Sequence, residues 1–312
     1  MTSEKKKTKC SLLVLAFNQE NFIAEAIRAA LAQTYSPLEI IISDDASTDQ
    51  TFSVIKNNIR DYVGPHEIIL NRNNENMGVV AHTNAIVSRA TGEILIPAYG
   101  DDISYPDRVK RIMHCFETED PLLVHSLADP IDSMGKPTNS QYLKADFFRT
   151  TDTLEIATSL FHYLGASGAW SRSLFNVYGP LQSPLIYDDH ILGFRASLEG
   201  RVSLIKEPLL AYREGVGISQ APKKNLSYEQ YRKQRKKILH QALSVIKDRR
   251  NDAIKFGLMV DNPIIRKLSV EIITKEIRLS YYEGLLLSQI LEHPLLASFN
   301  LLKETIRNLQ KK

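Results

Sequence analysis

Residues 38–49 join an apolar run to a cluster of carboxylates and small polar side chains. Residues 40–42 are all isoleucine, which is typical of a parallel strand covered on both faces. The run ends at Asp44 and Asp45, and the Ser and Thr residues that follow favour a turn before a helix. Ligands of open α/β sheets bind at the carboxyl ends of strands, so we expect both carboxylates to face a crevice. The alternative is that they only cap the helix that begins near residue 49.

A second acidic pair, Asp101 and Asp102, follows another apolar run at residues 94–96. Two carboxylates at a strand end attract a divalent cation. Hard oxygen ligands of this kind leave most of the coordination sphere to water and substrate phosphates. Acidic pairs at the ends of two strands therefore predict a site in which Mn²⁺ or Mg²⁺ helps to bind a nucleotide diphosphate.

Four segments, taken in order, resemble the GT-A glycosyltransferases, in particular the inverting family 2. These segments are residues 10–18, residues 39–49, Asn76-Met77-Gly78 with Asn84, and residues 100–102 with 106–108. Their order and spacing match the family pattern over residues 8–215. The resemblance implies a GT-A fold, which is a Rossmann-like mixed α/β sheet flanked by helices. It also implies inverting transfer of a sugar from a nucleotide-diphosphate sugar, with a UDP-sugar favoured, to a hydroxyl acceptor.

Position by position, the resemblance implies a donor site beside the first strands. Phe17 would lie beside the nucleotide base, and Asp45, with Asp44, would accept a hydrogen bond from that base. Asp101 would contact the ribose and would help Asp102 to hold the metal. The other donor-binding residues predicted in this way are Ala16, Asn18, Asn76, Gly78, Asn84 and Arg213.

Two positions leave the details of this donor site open. Many family members have an acidic residue where this chain has Tyr99, so the metal would depend almost entirely on Asp102. Arg213 could contact phosphate, but a surface salt bridge would explain this arginine equally well.

A third acidic pair, Asp188 and Asp189, precedes helix-like residues that end at Gly200. Acidic residues are also favoured at a helix N-terminus by its dipole, without any catalytic task. Inverting transfer needs a carboxylate that removes the proton of the acceptor hydroxyl. The resemblance implies that Asp189 is this base, with Asp188 as its neighbour, and that His190 contacts the acceptor.

Residues 164–170 place small side chains beside Trp170, the only tryptophan of the chain. Glycine lets a ligand approach the backbone closely and an aromatic face can stack on a sugar, so Gly168 and Trp170 are predicted to contact the acceptor. Trp170 could equally belong to the core. The acceptor is expected to be a saccharide or a lipid-linked saccharide. The glutamine-to-tryptophan motif of processive synthases does not follow, so we expect one sugar per encounter.

The length of 312 residues and a change in character predict a catalytic domain at residues 1–222 and a basic helical region at residues 223–312. Of the 39 Lys and Arg and 36 Asp and Glu residues, the second region holds 19 and 9, which leaves 20 and 27 for the first. Nucleic acid is not an expected partner, because an acidic domain repels phosphate and no nucleic-acid motif is present.

The basic region suggests two kinds of partner. Residues 232–237 carry its densest positive charge, which an anionic membrane surface would attract, although a solvated helix face explains the same cluster. A homo-oligomer formed through apolar helix faces is the other possibility. The side chains proposed for such faces are Leu285, Leu286, Leu287, Ile290 and Leu295.

Cys10 and Cys115 form neither a disulfide framework nor a metal motif, which favours free thiols in a reducing cytoplasm. No run approaches the roughly 18 apolar residues of a membrane span, so any membrane contact is expected to be peripheral, at the inner face. Family resemblance favours a role in cell-surface polysaccharide or glycolipid synthesis. The alternatives are a non-catalytic nucleotide-sugar-binding or scaffold protein and, less favoured because residues 16–20 lack Gly and Lys, a nucleotidyltransferase.

Overall fold

The computed structural model describes residues 7–139, 150–160, 162–185, 187–217, 226–284 and 292–310. Contacts divide the chain into two units. The first comprises Met1–Thr151 with Phe161–Gln220, and the second comprises Asp152–Leu160 with Ala221–Lys312.

The first unit is built on an eight-stranded mixed sheet with the order β3-β2-β1-β4-β7-β6-β8-β5. Strands β1 to β4 run parallel, whereas β7 is antiparallel to β4 and β6, and β5 is antiparallel to β8. The strands are β1 Cys10–Ala16, β2 Leu38–Asp44, β3 Glu67–Arg72, β4 Ile94–Tyr99, β5 Ile103–Ser104, β6 Leu123–Ile131, β7 Ala169–Ser171 and β8 Val202–Arg213.

Helices flank this sheet. The alternation of strand-like and helix-like segments in the sequence predicts helices at residues 20–33, 51–61, 78–91 and 107–118, and these are confirmed within a few residues at their ends. Each buries one apolar face, as helical spacing of apolar residues requires. The helices are α1 Ile23–Leu31, α2 Thr51–Ile59, α3 Val79–Arg89, α4 Arg108–Glu119, α5 Thr153–Ile156, α6 Ser173–Tyr178 and α7 Asp188–Leu198. Of these, α5 belongs to the second unit.

The register of the parallel strands brings their carboxyl ends to one edge. Ala16 at the end of β1 lies opposite Asp44 of β2, and Leu15 lies opposite Tyr99 at the end of β4. The apolar strand residues behind these ends pack in one buried cluster with side chains of α1, α2 and α4. The sheet therefore holds the loops after β1, β2 and β4 at a common edge, above a close-packed core.

The second unit is helical, with α8 Tyr228–Lys255, α9 Pro263–Glu283 and α10 Pro294–Leu309. The sequence Ser-Tyr-Glu-Gln at residues 227–230 predicts a capping box at the start of α8. The structure confirms it, because Ser227 Oγ accepts from the Gln230 amide and the Gln230 side chain accepts from the Ser227 amide. Among the helices of the described residues, none is both long and apolar enough to cross a membrane.

The segment at residues 152–160 packs with this helical unit, whereas the sequence-based division placed it in the catalytic domain. Its carbonyl groups are bound by two basic side chains of the helices: Arg249 Nη1 donates to Ile156 O at 2.7 Å, and Lys267 Nζ donates to Leu154 O at 2.7 Å. Only tertiary contact could reveal this pairing, because the two pairs of partners are 93 and 113 residues apart in sequence.

The basic cluster at residues 232–237 is less exposed than a continuous surface patch. Arg232 lies over the rings of Tyr228 and Tyr282, and Arg235 is 17% exposed and ion-paired with the buried Glu304. These two arginines therefore bind side chains of the helical unit, and membrane attraction of the cluster stays a prediction. Of the side chains proposed for an oligomer, Leu285, Leu286, Leu287 and Ile290 lie outside the described residues, and Leu295 is 88% exposed.

Candidate functional site

The carboxylates that end β2 are buried instead of facing an open crevice. Asp44 is fully buried; its Oδ2 accepts from the Ser47 amide at 3.2 Å and pairs with Arg72 Nε at 3.2 Å. Asp45 Oδ1 accepts from Asn73 Nδ2 at 2.7 Å. The expectation that both face a crevice is wrong for these side chains, because their oxygens bind Ser47 of the following loop and donors at residues 72–78, at and beyond the end of β3.

Asp45 also determines the position of the loop before α3. Its two oxygens accept from the amides of Met77 and Gly78, each at 3.0 Å, and Asn76 Oδ1 accepts from the same Gly78 amide at 2.8 Å. The segment Asn76-Met77-Gly78 is thus held beside the end of β2, as a donor-site loop would need.

The loop after β1 leaves one aromatic side chain at the sheet edge. Phe17 is 41% exposed, and the neighbouring Asn18 is anchored on both sides: its amide donates to Ser47 Oγ, and its Oδ1 accepts from the Thr48 amide. Ala16 is buried, and its carbonyl accepts from the Asp45 amide at 2.9 Å. Phe17 therefore stands available for a base to pack against.

Both polar groups of the Asn84 side chain form hydrogen bonds within the protein. Its Nδ2 donates to Leu181 O at 2.8 Å, and its Oδ1 accepts from the Leu181 amide at 3.0 Å. This two-way bond ties α3 to the segment that leads into α7. Its geometry fits a residue that positions the chain before Asp188 better than the predicted donor contact.

Asp101 and Asp102 follow β4 and differ in surroundings. Asp102 is 6% exposed, and its Oδ1 accepts from the Arg213 amide at 2.9 Å. Burial, followed by the charge of Asp101, raises the pKa of Asp102 well above its usual range. Asp101 is more accessible, and its Oδ2 lies against Gly217, whose φ of +64° and lack of a side chain allow this approach.

Arg213 binds backbone carbonyl groups and forms an ion pair with Glu25, which favours the salt-bridge alternative over a phosphate contact, although the guanidinium itself is buried. Its side chain is 2% exposed and lies over the Phe22 ring. Nε donates to Asp101 O at 2.9 Å, Nη1 to Asp132 O at 3.0 Å, and Nη2 to Glu25 Oε2 at 2.6 Å. All three guanidinium nitrogens are thus committed to protein partners.

Arg108 is a buried cation beneath the acidic strand end, to which the sequence argument assigned no role. Nη2 donates to Pro97 O at 2.9 Å and to Ala166 O at 2.7 Å, and Nη1 donates to Ser104 Oγ at 2.8 Å. Burial lowers the pKa of Arg108 to about 10, and the nearby Asp102 partly opposes this shift. The sequence feature that could have identified Arg108 is the Pro-Asp-Arg motif at residues 106–108.

The acidic pair of α7 is joined to β4 by one hydrogen bond. The Tyr99 hydroxyl donates to Asp188 Oδ2 at 2.7 Å, and the Asp189 amide donates to Asp188 Oδ1 at 2.9 Å. Asp188 is 2% exposed, and burial raises its pKa, while the Tyr99 hydrogen bond acts in the opposite direction. Tyr99, the last residue of β4, therefore connects the end of that strand to this pair.

Asp189 is the more accessible member of the pair, with 22% of its side chain exposed. His190 Nε2 lies 3.9 Å from Asp189 Oδ1. A Cβ atom on Gly165 would lie 3.3 Å from Asp189 Oδ2, so the absence of a side chain there leaves space beside this carboxylate. Gly165 therefore lies beside Asp189.

Trp170 belongs to the core, so its predicted contact with the acceptor is wrong. It is fully buried, lies between β4 and β6, and its Nε1 donates to the Tyr163 hydroxyl at 3.1 Å. Gly168 faces the same Tyr163 ring, because a Cβ there would lie 2.6 Å from Tyr163 Cε2. His190 is 7% exposed and packs edge-on against Tyr187.

Asp101 and Asp102 supply only part of the ligands that a hard divalent cation needs. Asp101 and Asp102 are adjacent carboxylates whose pKa values burial raises, so a cation would offset both desolvation and mutual repulsion. Within the described residues, no group of three or more His, Cys, Asp or Glu side chains could hold a metal by itself. The residues therefore fit a Mn²⁺ or Mg²⁺ ion whose remaining ligands are phosphate and water.

Comparison with solved structures shows the same fold. Residues of this chain align over 96% of its length with Staphylococcus aureus TarS 1-349 in complex with UDP-GlcNAc, at a TM-score of 0.58 and 16% identity, covering 91% of that chain. They align over 98% with the mannosyltransferase PcManGT from Pyrobaculum calidifontis in complex with GDP-Man and Mn²⁺, at a TM-score of 0.57 and 16% identity, covering 81% of that chain. The predicted GT-A fold is confirmed.

Sequence comparison adds the family. The chain is 34% identical over 109 residues, or 35% of its length, to the Escherichia coli UDP-Glc:alpha-D-GlcNAc-diphosphoundecaprenol beta-1,3-glucosyltransferase WfaP. Three curated relatives are matched over only 36%, 39% and 41% of their own lengths. Residues 11–179, more than half of the chain, match the family described as Glycosyl transferase family 2. This chain is therefore a member of glycosyltransferase family 2, as its motifs predicted.

Proposed function

We propose that this glycosyltransferase transfers one sugar, with inversion, from a UDP-sugar to a hydroxyl group of a saccharide or lipid-linked saccharide acceptor. The observation that carries this proposal is the hydrogen bond from Tyr99 to Asp188, since it brings the acidic pair of α7 beside the acidic end of β4. A donor site and a base for the acceptor then share one edge of the sheet.

The proposed donor site lies along the ends of β1, β2 and β4. Phe17 offers an exposed face to the base, and the loop held by Asp45 forms the neighbouring wall. A UDP-sugar is favoured because TarS was solved with UDP-GlcNAc and the name of WfaP specifies UDP-Glc. PcManGT, solved with GDP-Man, makes GDP the first competitor to test.

Asp101 is the better placed of the two carboxylates to contact a cation, because Asp102 already accepts from the Arg213 amide and is nearly buried. We assign the first contact to Asp101 and a supporting role to Asp102. When bound, Mn²⁺ or Mg²⁺ supplies positive charge that stabilises the leaving diphosphate. Arg213 and Arg108 hold the backbone around the two carboxylates through the carbonyl bonds described above.

Asp189 is the proposed general base. It is partly exposed, whereas both oxygens of Asp188 accept hydrogen bonds inside the protein. A base must reach the proton of the acceptor hydroxyl while the acceptor oxygen attacks the anomeric carbon from the face opposite the diphosphate. Gly165 leaves room for that hydroxyl, and Asp188 positions the start of α7 through its bond to the Asp189 amide.

The proposed setting is the cytoplasm, in the synthesis of a cell-surface polysaccharide or glycolipid. It is supported by the acceptor in the name of WfaP, a diphosphoundecaprenol-linked sugar.

The test is a thermal-shift and transfer assay on three matched Asp→Asn variants, with UDP, GDP, dTDP and CDP, each with and without Mn²⁺. Asp101→Asn is expected to abolish the metal-dependent part of the UDP shift, because a ligand stabilises only the state that binds it. Asp189→Asn is expected to keep that shift but to lower kcat about 10²–10⁴-fold, the usual contribution of general base catalysis. Asp61→Asn, at an exposed position, is the control and should match the wild type.

Two results would reverse these assignments. A transfer rate that is unchanged in Asp189→Asn would show that Asp189 is not the general base. A nucleotide shift in the wild type without transfer to any sugar acceptor would favour the alternative of a non-catalytic nucleotide-sugar-binding protein.

A further inference from the structure

Helix α10 is amphipathic in the reverse sense: its polar face is inside the helical unit and its apolar face is outside. The buried side chains are Ala297, Asn300, Glu304 and Asn308. The exposed apolar side chains form what we call the α10 stripe, with exposures of 88, 56, 60, 46 and 64% for Leu295, Phe299, Leu302, Ile306 and Leu309.

Buried charge fixes this orientation. Glu304 is fully buried; it accepts from Arg235 Nη2 at 2.7 Å, Arg307 Nη1 at 2.6 Å and the Tyr282 hydroxyl at 2.7 Å. Arg278 Nε donates to Asn300 Oδ1 at 2.8 Å on the same side of the helix. Turning α10 to bury its stripe would break this buried ion pair and separate Glu304 from its hydrogen-bond donors.

The stripe is continuous. Its members are spaced by four, three, four and three residues, so they form a single line along one side of the helix. A helix of 16 residues is about 24 Å long at 1.5 Å per residue. The stripe thus offers a narrow apolar surface of helix length, the shape of an interfacial helix.

Charge selects the partner. The carboxylate of α10 is Glu304, which is buried, whereas Lys303 is exposed beside the stripe with its Nζ 4.1 Å from the Phe299 ring centre. Arg307 is 42% exposed. The exposed charges along the helix are therefore positive, and residues 223–312 hold 19 Lys and Arg against 9 Asp and Glu. An anionic surface complements both features.

We propose that the α10 stripe lies in the headgroup and acyl boundary of an anionic lipid bilayer. A second copy of the chain suits the stripe less well, because five side chains are far fewer than the 20–30 residues that each partner contributes to a standard protein interface. Self-pairing would also repeat Lys303 along both helices without an exposed acid on either to compensate. The α10 stripe thus supplies the apolar contact of membrane attachment.

Flotation of the full chain with vesicles tests this proposal. One set contains equal parts of phosphatidylglycerol and phosphatidylcholine, and the other contains phosphatidylcholine alone. Leu302→Glu/Ile306→Glu is expected to lower partitioning into the anionic vesicles by at least about tenfold, because it removes apolar area and adds repulsion. The control Val63→Glu/Met134→Glu adds the same charges at residues that are 97% and 80% exposed elsewhere, and should bind like the wild type.

Leu295→Glu, at the most exposed position of the stripe, is a second variant with little risk of unfolding, and it should weaken binding severalfold. Urea unfolding verifies that each variant is folded. The proposal is overturned if the wild type does not float with anionic vesicles, if it floats equally well with neutral ones, or if the control loses as much as the double variant. Sedimentation of the wild type as a dimer that the double variant dissociates, without vesicle binding, would identify a second copy as the partner.

Discussion

Tyr99 and Asp188, 89 residues apart in sequence, are joined by a 2.7 Å hydrogen bond from the tyrosine hydroxyl to Asp188 Oδ2. Tyr99 ends β4, two residues before Asp101, and Asp188 begins α7, one residue before Asp189. A neutral hydrogen-bond donor at this position supports a buried carboxylate without adding another negative charge beside Asp188 and Asp189.

Tyr99→Phe should lower kcat roughly tenfold while leaving the UDP thermal shift almost unchanged, because the start of α7 loses its anchor. We also expect a loss of about 1–3 kcal/mol in the free energy of unfolding, the cost of an unsatisfied buried acceptor. Tyr105→Phe is the matched control, since that hydroxyl donates to the exposed Asp129 at 2.6 Å. Equal kinetics for the two variants would show that the Tyr99 bond does not support catalysis.

The same variant has a predicted pH dependence. Burial raises the pKa of Asp188, and the Tyr99 hydrogen bond opposes this, so Tyr99→Phe should raise that pKa further. A group with a raised pKa in the folded state stabilises it at low pH and loses this contribution as pH rises through the folded pKa. The destabilisation of Tyr99→Phe should therefore be larger at pH 8 than at pH 5 in urea unfolding. An equal loss in the free energy of unfolding at pH 5 and at pH 8 would show that the Tyr99 hydrogen bond does not affect the pKa of Asp188.

Arg213→Met should destabilise the first unit by about 3–5 kcal/mol, because it leaves buried carbonyl groups without donors and removes a buried cation. Arg111→Met is the comparison: Arg111 is 44% exposed and pairs with Glu207 on the surface, where loss costs less than about 1 kcal/mol. Urea unfolding measures both. If Arg213→Met unfolded like the wild type and weakened only donor binding, the original phosphate assignment would be restored.

Glu39 should make folding sensitive to acid. It is fully buried, and although burial itself raises its pKa, hydrogen bonds from Ser11 and Thr91 lower it to about 2. A depressed folded pKa stabilises the protein above the unfolded value of about 4.3, and this contribution disappears as pH falls toward 2. Glu39→Gln should thus cost about 3 kcal/mol at pH 7, with a smaller difference from the wild type at pH 3.

The control for this titration is Glu67→Gln. Glu67 shares Lys9 with Glu39 but is 59% exposed, so its loss should be small at every pH. A constant difference between wild type and Glu39→Gln from pH 7 to pH 3 would show that ionisation of Glu39 does not contribute to stability.

Trp170 should report on the core and not on the acceptor. Because it is fully buried, its fluorescence is expected to resist quenching by iodide and to stay unchanged when acceptor is added. Trp170→Phe should cost about 2 kcal/mol through a cavity and the loss of the bond to Tyr163. Quenching by a bound sugar would instead place this side chain at the acceptor.

The sequence by itself determined the sheet edge and its chemistry. An apolar strand that ends in carboxylates can be buried only if its polar end lies at an edge, which predicted the positions of residues 44–45 and 101–102. Helical spacing predicted the four helices between the strands, and Ser227 predicted the start of α8, because a cap depends only on neighbouring residues. The ordered motifs then indicated the family.

Tertiary structure alone decided what each polar group does at that edge. The roles of three side chains depend on partners distant in sequence. Asp45 could bind a ligand or a loop, Arg213 could contact phosphate or backbone carbonyls, and Trp170 could stack on a sugar or fill the core. The outward apolar face of α10 belongs here too, since its amphipathic pattern alone would have buried that face. Local pattern specifies which groups are polar, but which partner satisfies each one depends on the packing of remote segments, and that packing exists only in the folded chain.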